Sequence, residues 1–193
     1  MPASEKKEIR RIVRSKFPGD VERSAQSKAI CRHVTAWEVY RNARVVGGYV
    51  PMAHEADVMP ILQDVLASGK TLVLPRCGKK PEMRFHRVAS MDELVPGAYG
   101  LPEPQENVPV VEKEEINLLL VPLEALTREG LRLGKGGGYY DNCLSGFSGM
   151  SLGVALQHQW VDELPADKWD VPLVAAVDSQ AIHMFIGTPE RIV

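Results

Sequence analysis

Long apolar runs and a leader-like segment are both missing from this sequence. The longest apolar stretches, such as residues 118–123, fall well short of the roughly 20 residues that a membrane-spanning helix requires. The chain is charged from Glu5 onward and lacks the apolar core of a secretory signal there. We therefore expect neither a membrane span nor export.

Paired cysteines are missing as well. The sequence has three cysteines, widely spaced and without a Cys-x-x-Cys pair, at Cys31, Cys77 and Cys143. An odd number of separated cysteines argues against both a disulfide scaffold and a structural zinc site. The pattern fits a reducing compartment, so the expected location is cytoplasmic.

The chain also lacks an excess of charge of either sign. Its 23 basic and 25 acidic residues leave a formal net charge of −2, which gives no electrostatic reason to expect binding to nucleic acid or to an anionic membrane. With 193 residues, 45% of them hydrophobic, the chain is long enough to bury a sizeable core. We expect one domain over residues 1–193.

The spacing of apolar residues alternates between helical and strand-like along the chain. It predicts helices at residues 4–16, 20–42, 57–68 and 139–144. It predicts strands at residues 44–50, 70–74, 83–88, 116–121, 151–156 and 173–177. Alternating helices and uniformly apolar strands predict an α/β protein with three α/β/α layers, in which a mostly parallel central sheet carries helices on both faces.

Three details of this pattern make sharper predictions. The first helix should bury Ile9, Ile12 and Val13 and expose its basic residues. Residues 116–121 are the most apolar strand and should lie at the centre of the sheet. Residues 96–109 contain four prolines and two glycines and are expected to form a loop without regular elements.

The glycine-rich segment 132–141, RLGKGGGYYD, is the most informative part of the sequence. Four glycines in five residues allow backbone N–H groups to converge on one point, and a phosphate is the usual guest of such a nest. Lys135 adds a mobile cation, and Arg132 adds a guanidinium that can bind in a bidentate manner. Asp141 follows where a carboxylate could hold a divalent cation. These residues predict a polyphosphate site.

An isolated glycine cluster has a second interpretation, which is a hairpin whose glycines serve tight turns. The segment is not a Walker A loop, because GxxxxGK[ST] occurs nowhere in the chain, and its spacing does not match GxGxxG. The embedded lysine and the trailing Tyr-Tyr-Asp favour the phosphate site.

The string RLGKGGGYYD resembles the signature of the 5-formyltetrahydrofolate cyclo-ligase family. Further segments resemble motifs of this family in the same order along the chain. They are KKEIR at 6–10, YVPMAHEAD at 49–57, LPR at 74–76 and YGLPEP at 99–104. The resemblance covers most of the chain and implies a three-layer fold like that of NagB, RpiA and the CoA transferases.

The resemblance also implies roles for individual residues. The ATP-binding set would be Lys6, Lys7, Arg10, Arg132, Leu133, Gly134, Lys135, Gly136, Gly137, Gly138, Tyr139 and Tyr140. The folate-binding set would be Met52, Glu55, Asp57, Tyr99, Lys135, Gly136, Gly137, Gly138 and Tyr139. Arg10, Arg132 and Lys135 would be catalytic, and Asp141 and Asp170 would hold Mg²⁺.

The reaction implied by the resemblance converts 5-formyltetrahydrofolate and ATP to 5,10-methenyltetrahydrofolate, ADP and phosphate, with Mg²⁺. The formyl oxygen would be phosphorylated and then displaced as N10 closes the ring. Such chemistry needs positioning and charge neutralisation and no protein nucleophile. The only partners would be these small molecules, and the enzyme would be a monomer. The resemblance leaves open whether the folate carries one glutamate or a polyglutamate tail.

Two departures keep other interpretations open. Val174 stands where a second acid of the late family motif is expected, and residues 180–193 match no motif. A non-catalytic paralogue that binds folate or nucleotide is one alternative. A sugar-phosphate isomerase or transferase of similar fold is another. Each candidate also has a structural interpretation; Met52 could fill the core, and Glu55 and Asp57 could be acids at a helix start.

Overall fold

A sheet of eight strands organises the chain in the computed structural model, which describes residues 2–185, without the side chains of residues 2, 3 and 99. The helices are α1 Pro2–Ser15, α2 Asp20–Ala36, α3 Glu38–Asn42, α4 Met59–Ala67 and α5 Tyr139–Leu144. The strands are β1 Val45–Gly47, β2 Thr71–Cys77, β3 Met83–Val88, β4 Val95–Pro96, β5 Pro102–Glu103, β6 Val110–Val111, β7 Leu118–Val121, β8 Ala125–Leu126, β9 Arg132–Leu133, β10 Met150–Val154, β11 Ala175–Val177 and β12 Ile182–Met184. Short 3₁₀ turns occur at Met91–Glu93, Ala98–Gly100, Lys113–Glu115 and Gln157–Gln159.

The large sheet is parallel in its middle and antiparallel at its edges. The strand order is β12-β11-β10-β7-β1-β2-β3-β6, and the neighbours from β11 to β2 are parallel. The strands β12, β3 and β6 are added in antiparallel pairing. The most apolar strand, β7, lies between β10 and β1. The predicted mostly parallel sheet and the central position of residues 116–121 are confirmed.

Alternate residues of the sheet pack against helices on opposite faces. In β7, Leu118 and Leu120 join a core cluster with Ile30 of α2 and Ile61 of α4. Leu119 joins a second cluster, on the other face, that includes buried residues of α5. Since side chains in a strand alternate between the two faces, the uniformly apolar strand requires cover on both sides. The predicted three-layer α/β/α architecture is confirmed.

Helix α1 lies apart from these two clusters and packs against the small β8–β9 hairpin. Val13, which is 2% exposed, contacts Ala125 and Leu133 of the hairpin. Lys6 and Arg10 precede Val13 by seven and three residues and are themselves partly buried on this side, whereas Ile12 is 39% exposed. The predicted burial of Ile12 and the predicted exposure of Lys6 and Arg10 were therefore wrong, because the inner face of α1 includes cations whose charges have partners in the fold.

Several predicted elements have different ends in the structure, among them a helix and a strand. The helix predicted over residues 20–42 breaks at Trp37, whose backbone is extended. Just before the break, the hydroxyl of Thr35 donates to the Cys31 carbonyl, a bond that competes with the helical pattern. The strand predicted to end before Pro75 continues to Cys77.

The position of Pro75 explains why the strand continues. The C=O of Val73 accepts from Gly48 on the β1 side, so the N of Pro75, two residues later, faces the same side. Because β1 ends at Gly47, the position of Pro75 lies beyond the paired part of β1 and needs no N–H to donate to it.

The proline-rich segment is more ordered than the sequence suggested. Within residues 96–109 the chain forms a 3₁₀ turn, and β4 pairs with β5 in an antiparallel hairpin. Gly100, at a φ of 71°, supplies the left-handed residue that the turn between these strands requires. The prediction of a loop without regular elements was wrong. None of the helices within residues 2–185 is long and apolar enough to cross a bilayer.

Candidate functional site

A cavity of about 770 Å³ opens at the carboxyl ends of β1, β2 and β7. The chain leaves β1 toward β2 on one side, and it leaves β7 toward β10 on the other. This divergence is the topological switch point at which open α/β sheets bind ligands. Residues near the carboxyl end of each strand line the cavity, including Tyr49 after β1, Pro75 within β2 and Pro122 after β7.

Helix α1 supplies two cations to this cavity. Nζ of Lys6 donates to Oδ2 of Asp167 at 2.8 Å and to Oδ2 of Asp170 at 2.7 Å. Burial opposes the charge of this lysine, but the two carboxylates prevail and raise its pKa. Nε of Arg10 donates to the Gly134 carbonyl at 2.8 Å. The predicted Lys-x-x-x-Arg element therefore contacts both the glycine-rich loop and the late acidic segment.

Arg132 forms the buried floor of the glycine-rich loop. Its Nη2 donates to Oδ1 of Asp141 at 2.8 Å, and its side chain is 3% exposed. A Cβ on Gly134 would lie 2.6 Å from Nη1 of Arg132, so only glycine permits this approach. Nε of Arg132 has no hydrogen-bond partner among the described residues.

The loop closes over α1 with glycines in the left-handed region. Gly136 has a φ of 90°, and Gly138, at 72°, precedes the first turn of α5. A Cβ on Gly136 would lie 3.5 Å from Nη2 of Arg10, which places that guanidinium directly against the loop. The loop is therefore a folded surface that faces the cavity and not a simple hairpin turn.

Lys135 points to the segment after β1. Its Nζ lies 2.6 Å from Oε1 of Glu55 and 2.7 Å from Sδ of Met52. The N–H of Met52 donates to the other oxygen of Glu55 at 2.8 Å, and Glu55 is only 4% exposed. Glu55 and Met52 thus line the cavity and hold the loop lysine in place.

The two predicted metal ligands line the same cavity, and each accepts a hydrogen bond from a cation. Asp141 pairs with Arg132, and Asp170 pairs with Lys6 and also accepts from the N–H of Asp167. Within residues 2–185 no group of three or more acidic, histidine or cysteine side chains is arranged to hold a metal ion. Any metal bound here would draw further ligands from a substrate.

Three predicted site residues are not placed in the cavity wall. Lys7 is exposed on the outer side of α1 and does not line the cavity. Asp57 accepts from the N–H of Met59 at the start of α4, as the helix-start interpretation expected. The backbone of Tyr99 lies in the turn Ala98–Gly100, and its side chain lies outside the described part of the chain.

The structure adds residues that sequence reasoning missed. Away from the cations, the wall is apolar and includes Leu74, Met83 and Leu101. Glu103 lies in this wall and is 6% exposed, while Trp169 also lines the cavity and is 64% exposed. Glu103 lies inside the motif YGLPEP. Burial of its carboxylate distinguishes it from other acids, and only the structure reveals that burial.

Burial also changes the acidity of hydroxyl and thiol groups around the cavity. It raises the pKa of Tyr49 and of Tyr140 well above the ordinary range of a phenol. It raises the pKa of Cys77 to about 11. These three groups are therefore neutral near pH 7.

Comparison with known proteins identifies relatives over most of the chain. A sequence model of the 5-formyltetrahydrofolate cyclo-ligase family matches residues 3–179. The 5-formyltetrahydrofolate cyclo-ligase of Haemophilus influenzae is 30% identical over 152 residues, which cover 76% of this chain and 81% of that relative.

Solved structures agree with these relatives. The NMR structure of a 5,10-methenyltetrahydrofolate synthetase from Aquifex aeolicus is 32% identical, with a TM-score of 0.84, and the match covers 94% of this chain and 93% of that one. A 5,10-methenyltetrahydrofolate synthetase from Mycoplasma pneumoniae, at 23% identity and a TM-score of 0.74, shares the fold over 91% and 99% of the two chains. The cavity is built from the same segments that carry the motifs. Because the family model matches residues 3–179, the chain belongs to the 5-formyltetrahydrofolate cyclo-ligase family.

Proposed function

We propose that this enzyme converts 5-formyltetrahydrofolate to 5,10-methenyltetrahydrofolate and cleaves ATP to ADP and phosphate as it does so. The observation that carries the proposal is the meeting of α1 with the glycine-rich loop. Arg10 contacts Gly134, which is 124 residues further along the chain. Their contact unites the motifs in one cavity of about 770 Å³, a size that suits small-molecule ligands.

ATP solves a chemical difficulty of the ring closure. Attack of N10 on the formyl carbon must expel the formyl oxygen, which is a very poor leaving group. If the formyl oxygen first attacks the γ-phosphorus, ADP leaves and the oxygen becomes part of a phosphate ester. N10 then bonds to the activated carbon, its proton is lost, and the C–O bond breaks to release phosphate. The formyl oxygen ends in the phosphate, and the carbon ends bonded to N5 and N10.

The cations of the cavity suit the phosphoryl transfer. Catalysis of this kind depends on positioning and on neutralising the charge of the phosphoryl oxygens. The Arg10 guanidinium uses Nε to hold the loop, and it has no ion pair with any carboxylate of the described chain. Its Nη groups therefore suit an incoming phosphate. Lys135 is the cation best placed to follow the transferred group, because it lies between the loop and the wall residue Met52.

Apart from Arg10, the cations that line the cavity with predicted roles are already paired with carboxylates. Lys135 is paired with Glu55. Lys6 is paired with Asp167 and Asp170, and Arg132 with Asp141. A triphosphate that enters must share these cations with the carboxylates, which leaves carboxylate oxygens in need of a new positive partner. The resident ion pairs thus hold the cations in position before ATP binds, which lowers the cost of ordering long side chains on binding.

The carboxylates that share their cations with ATP fit a magnesium site. Mg²⁺ prefers oxygen ligands, and it commonly takes one or two carboxylates together with substrate phosphates and water. Asp141 and Asp170 supply two carboxylates in one cavity, which is enough for such a site. When bound, Mg²⁺ would neutralise charge on the phosphate oxygens. Arg132 and Lys6 would orient these two carboxylates, because each donates to one carboxylate oxygen and leaves the other side open.

The two alternatives lose support. Family membership removes the ground for a sugar-phosphate isomerase or transferase. The paralogue interpretation depended on Val174 and on the unmatched residues 180–193, of which 186–193 lie outside the described part of the chain. Val174 does not line the cavity. Its N–H donates to Ser151 and its side chain packs against the main core. This departure from the family motif therefore lies in the framework, whereas the cavity keeps its charged groups.

The reaction can be followed by the near-ultraviolet absorbance of the methenyl product. We expect absorbance to rise when 5-formyltetrahydrofolate, Mg²⁺ and ATP are all present, and not when ATP is left out. Arg10→Ala should lower kcat/KM about 100-fold or more, because it removes a guanidinium that faces the phosphates. Arg11→Ala is the matched control, since Arg11 is 69% exposed on the same helix and pairs with Glu8.

The outcomes separate the hypotheses. No rise with ATP at any enzyme concentration would refute the proposal, and calorimetric binding of the folate without turnover would support a non-catalytic paralogue. Equal losses in Arg10→Ala and Arg11→Ala would remove the guanidinium of Arg10 from the site.

A further inference from the structure

We propose that the carboxylate of Glu103 binds the donor edge of the pterin ring, which consists of the 2-amino group and the neighbouring N3–H. This inference rests on the proposed function, because it assigns the folate end of the cavity. It adds a residue that fixes which heterocycle binds and in which orientation.

Glu103 is a buried charge in an apolar wall. The residue is 6% exposed and lines the cavity beside Leu101 and Pro102, on the side of β2 where Leu74 also lines it. A carboxylate in such surroundings is costly unless hydrogen bonds compensate it. Its position therefore calls for partners.

Within residues 2–185, as far as their side chains are described, few of these partners are present. The N–H of Cys77 donates to Oε1 of Glu103 at 3.4 Å, which is a long bond. Nη1 of Arg76 lies 3.8 Å from Oε2, beyond hydrogen-bond distance, and donates instead to the Pro104 carbonyl at 2.8 Å. An ionised carboxylate can accept about four hydrogen bonds. The Cys77 thiol also faces this carboxylate, which contributes to the raised pKa of that thiol. The backbone hydrogen bond and the ion pair that the described residues give Glu103 are both long, so part of its acceptor capacity is open to a ligand.

The fold also holds this side chain in one place. Glu103 pairs with Val95 in the β4–β5 hairpin. A Cβ on Gly97 would lie 2.4 Å from Cγ and Cδ of Glu103, so a glycine at this position creates the space that the side chain occupies. The carboxylate is therefore fixed before a ligand arrives, as a specificity-determining group should be.

The chemistry of the two substrates assigns the pterin to this carboxylate. The pterin ring presents two adjacent N–H donors, which match the two oxygens of a carboxylate in a pair of parallel hydrogen bonds. Adenine presents its 6-amino donor beside ring-nitrogen acceptors, which a carboxylate would repel. The cations that suit a triphosphate, Lys6, Arg10, Arg132 and Lys135, form none of the described contacts of Glu103.

The test compares 5-formyltetrahydrofolate with its analogue that lacks the 2-amino group. Binding is measured by calorimetry without ATP, so turnover is not needed. The wild-type enzyme should bind the analogue about 10- to 100-fold more weakly than the substrate, because a hydrogen bond to a charged group is lost. Glu103→Gln should bind the substrate more weakly by a similar factor and discriminate between the two ligands less than about threefold.

Kinetics provides a readout that a purely structural role would not move. Glu103→Gln should raise KM for the folate about 10- to 100-fold and leave KM for ATP unchanged. Glu106→Gln is the matched control, because Glu106 is exposed and its change removes the same charge three residues away. Thermal melting verifies that both variants are folded.

Each outcome decides the proposal. Equal binding of the two ligands by the wild-type enzyme would overturn it, and this measurement needs no variant. A rise in KM for ATP alone would assign Glu103 to adenine and would also overturn it. If the wild-type enzyme discriminates between the ligands and Glu103→Gln does not, but no ATP-dependent turnover is seen, the proposed function fails while the assignment of Glu103 stands. Undiminished discrimination in Glu103→Gln would overturn the assignment.

Discussion

Replacement of Lys135 by alanine should lower both the stability and the turnover of the enzyme, and a second substitution at Glu55 should separate the two effects. The lysine is the cation of the glycine-rich loop and also the charged partner of Glu55. In Lys135→Ala the buried carboxylate keeps one hydrogen bond, from the N–H of Met52 at 2.8 Å. The variant should therefore lose both stability and turnover.

The size of the stability loss follows from burial. Removal of one partner from a fully buried ion pair costs about 3–5 kcal/mol. The side chain of Glu55 is 5% exposed but that of Lys135 is 36% exposed, so water screens the pair and the cost falls to about 1–2 kcal/mol. For a chain of this length that corresponds to a fall in Tm of about 2–8 °C.

The double variant Glu55→Gln/Lys135→Ala provides the decisive comparison. Glutamine can still accept from the N–H of Met52, and it removes the uncompensated charge. We expect Tm to return to within about 2 °C of wild type, while kcat stays about 100- to 1000-fold below it, because the cation at the phosphates is missing. Calorimetry and the methenyl absorbance assay measure the two effects. A double variant no more stable than Lys135→Ala, or wild-type turnover in either variant, would refute the reasoning.

Three further predictions test other contacts. Gly134→Ala would place a Cβ 2.6 Å from Nη1 of Arg132, so we expect this buried guanidinium to move and kcat to fall about 10- to 100-fold; an unchanged kcat in steady-state kinetics would contradict this. Although burial opposes it, Arg14 lowers the pKa of Glu124 below its ordinary value of 4.5, so the pair stabilises the fold at neutral pH and this stabilisation is lost as pH falls through the lowered pKa. Urea unfolding of Arg14→Ala at several pH values should show a smaller loss of stability on acidification than wild type, and equal losses would count against the pair. Because burial raises the pKa of Cys77 to about 11, about one thiol in a thousand is ionised at pH 8; iodoacetamide should label it slowly in the native enzyme, whereas labelling at the rate of a free thiol would be inconsistent with this environment.

The central fold was predictable because its strands are uniformly apolar. Strand β7 is buried throughout, and such a strand has to lie in the middle of a sheet with helices on both faces. The end of β2 was not predictable, because Pro75 is compatible with the strand only where β1 has already ended. Pairing between distant segments decided this boundary, and local pattern contains no information about it.

The candidate site was likewise predictable from local sequence only in part. The glycine-rich loop was recognisable because four glycines in a row of five residues have a clear physical use. The partners of its charged residues were not, because Lys135 meets Glu55 from 80 residues away and Lys6 meets Asp170 from 164 residues away. Glu103 was hidden for the same reason, since burial of its charge depends on how β5 lies against the end of β2.

The contact of α1 with the late acidic segment also has a consequence for hydrogen exchange. Amides of a helix that packs on a small hairpin exchange through local opening, which requires only that helix to detach. A ligand that binds between α1 and the glycine-rich loop stabilises the closed form and must slow this exchange in proportion to its occupancy. Deuterium uptake in α1 therefore reports how full the cavity is, and it does so without a fluorescent dye, a coupled enzyme or turnover of the substrate.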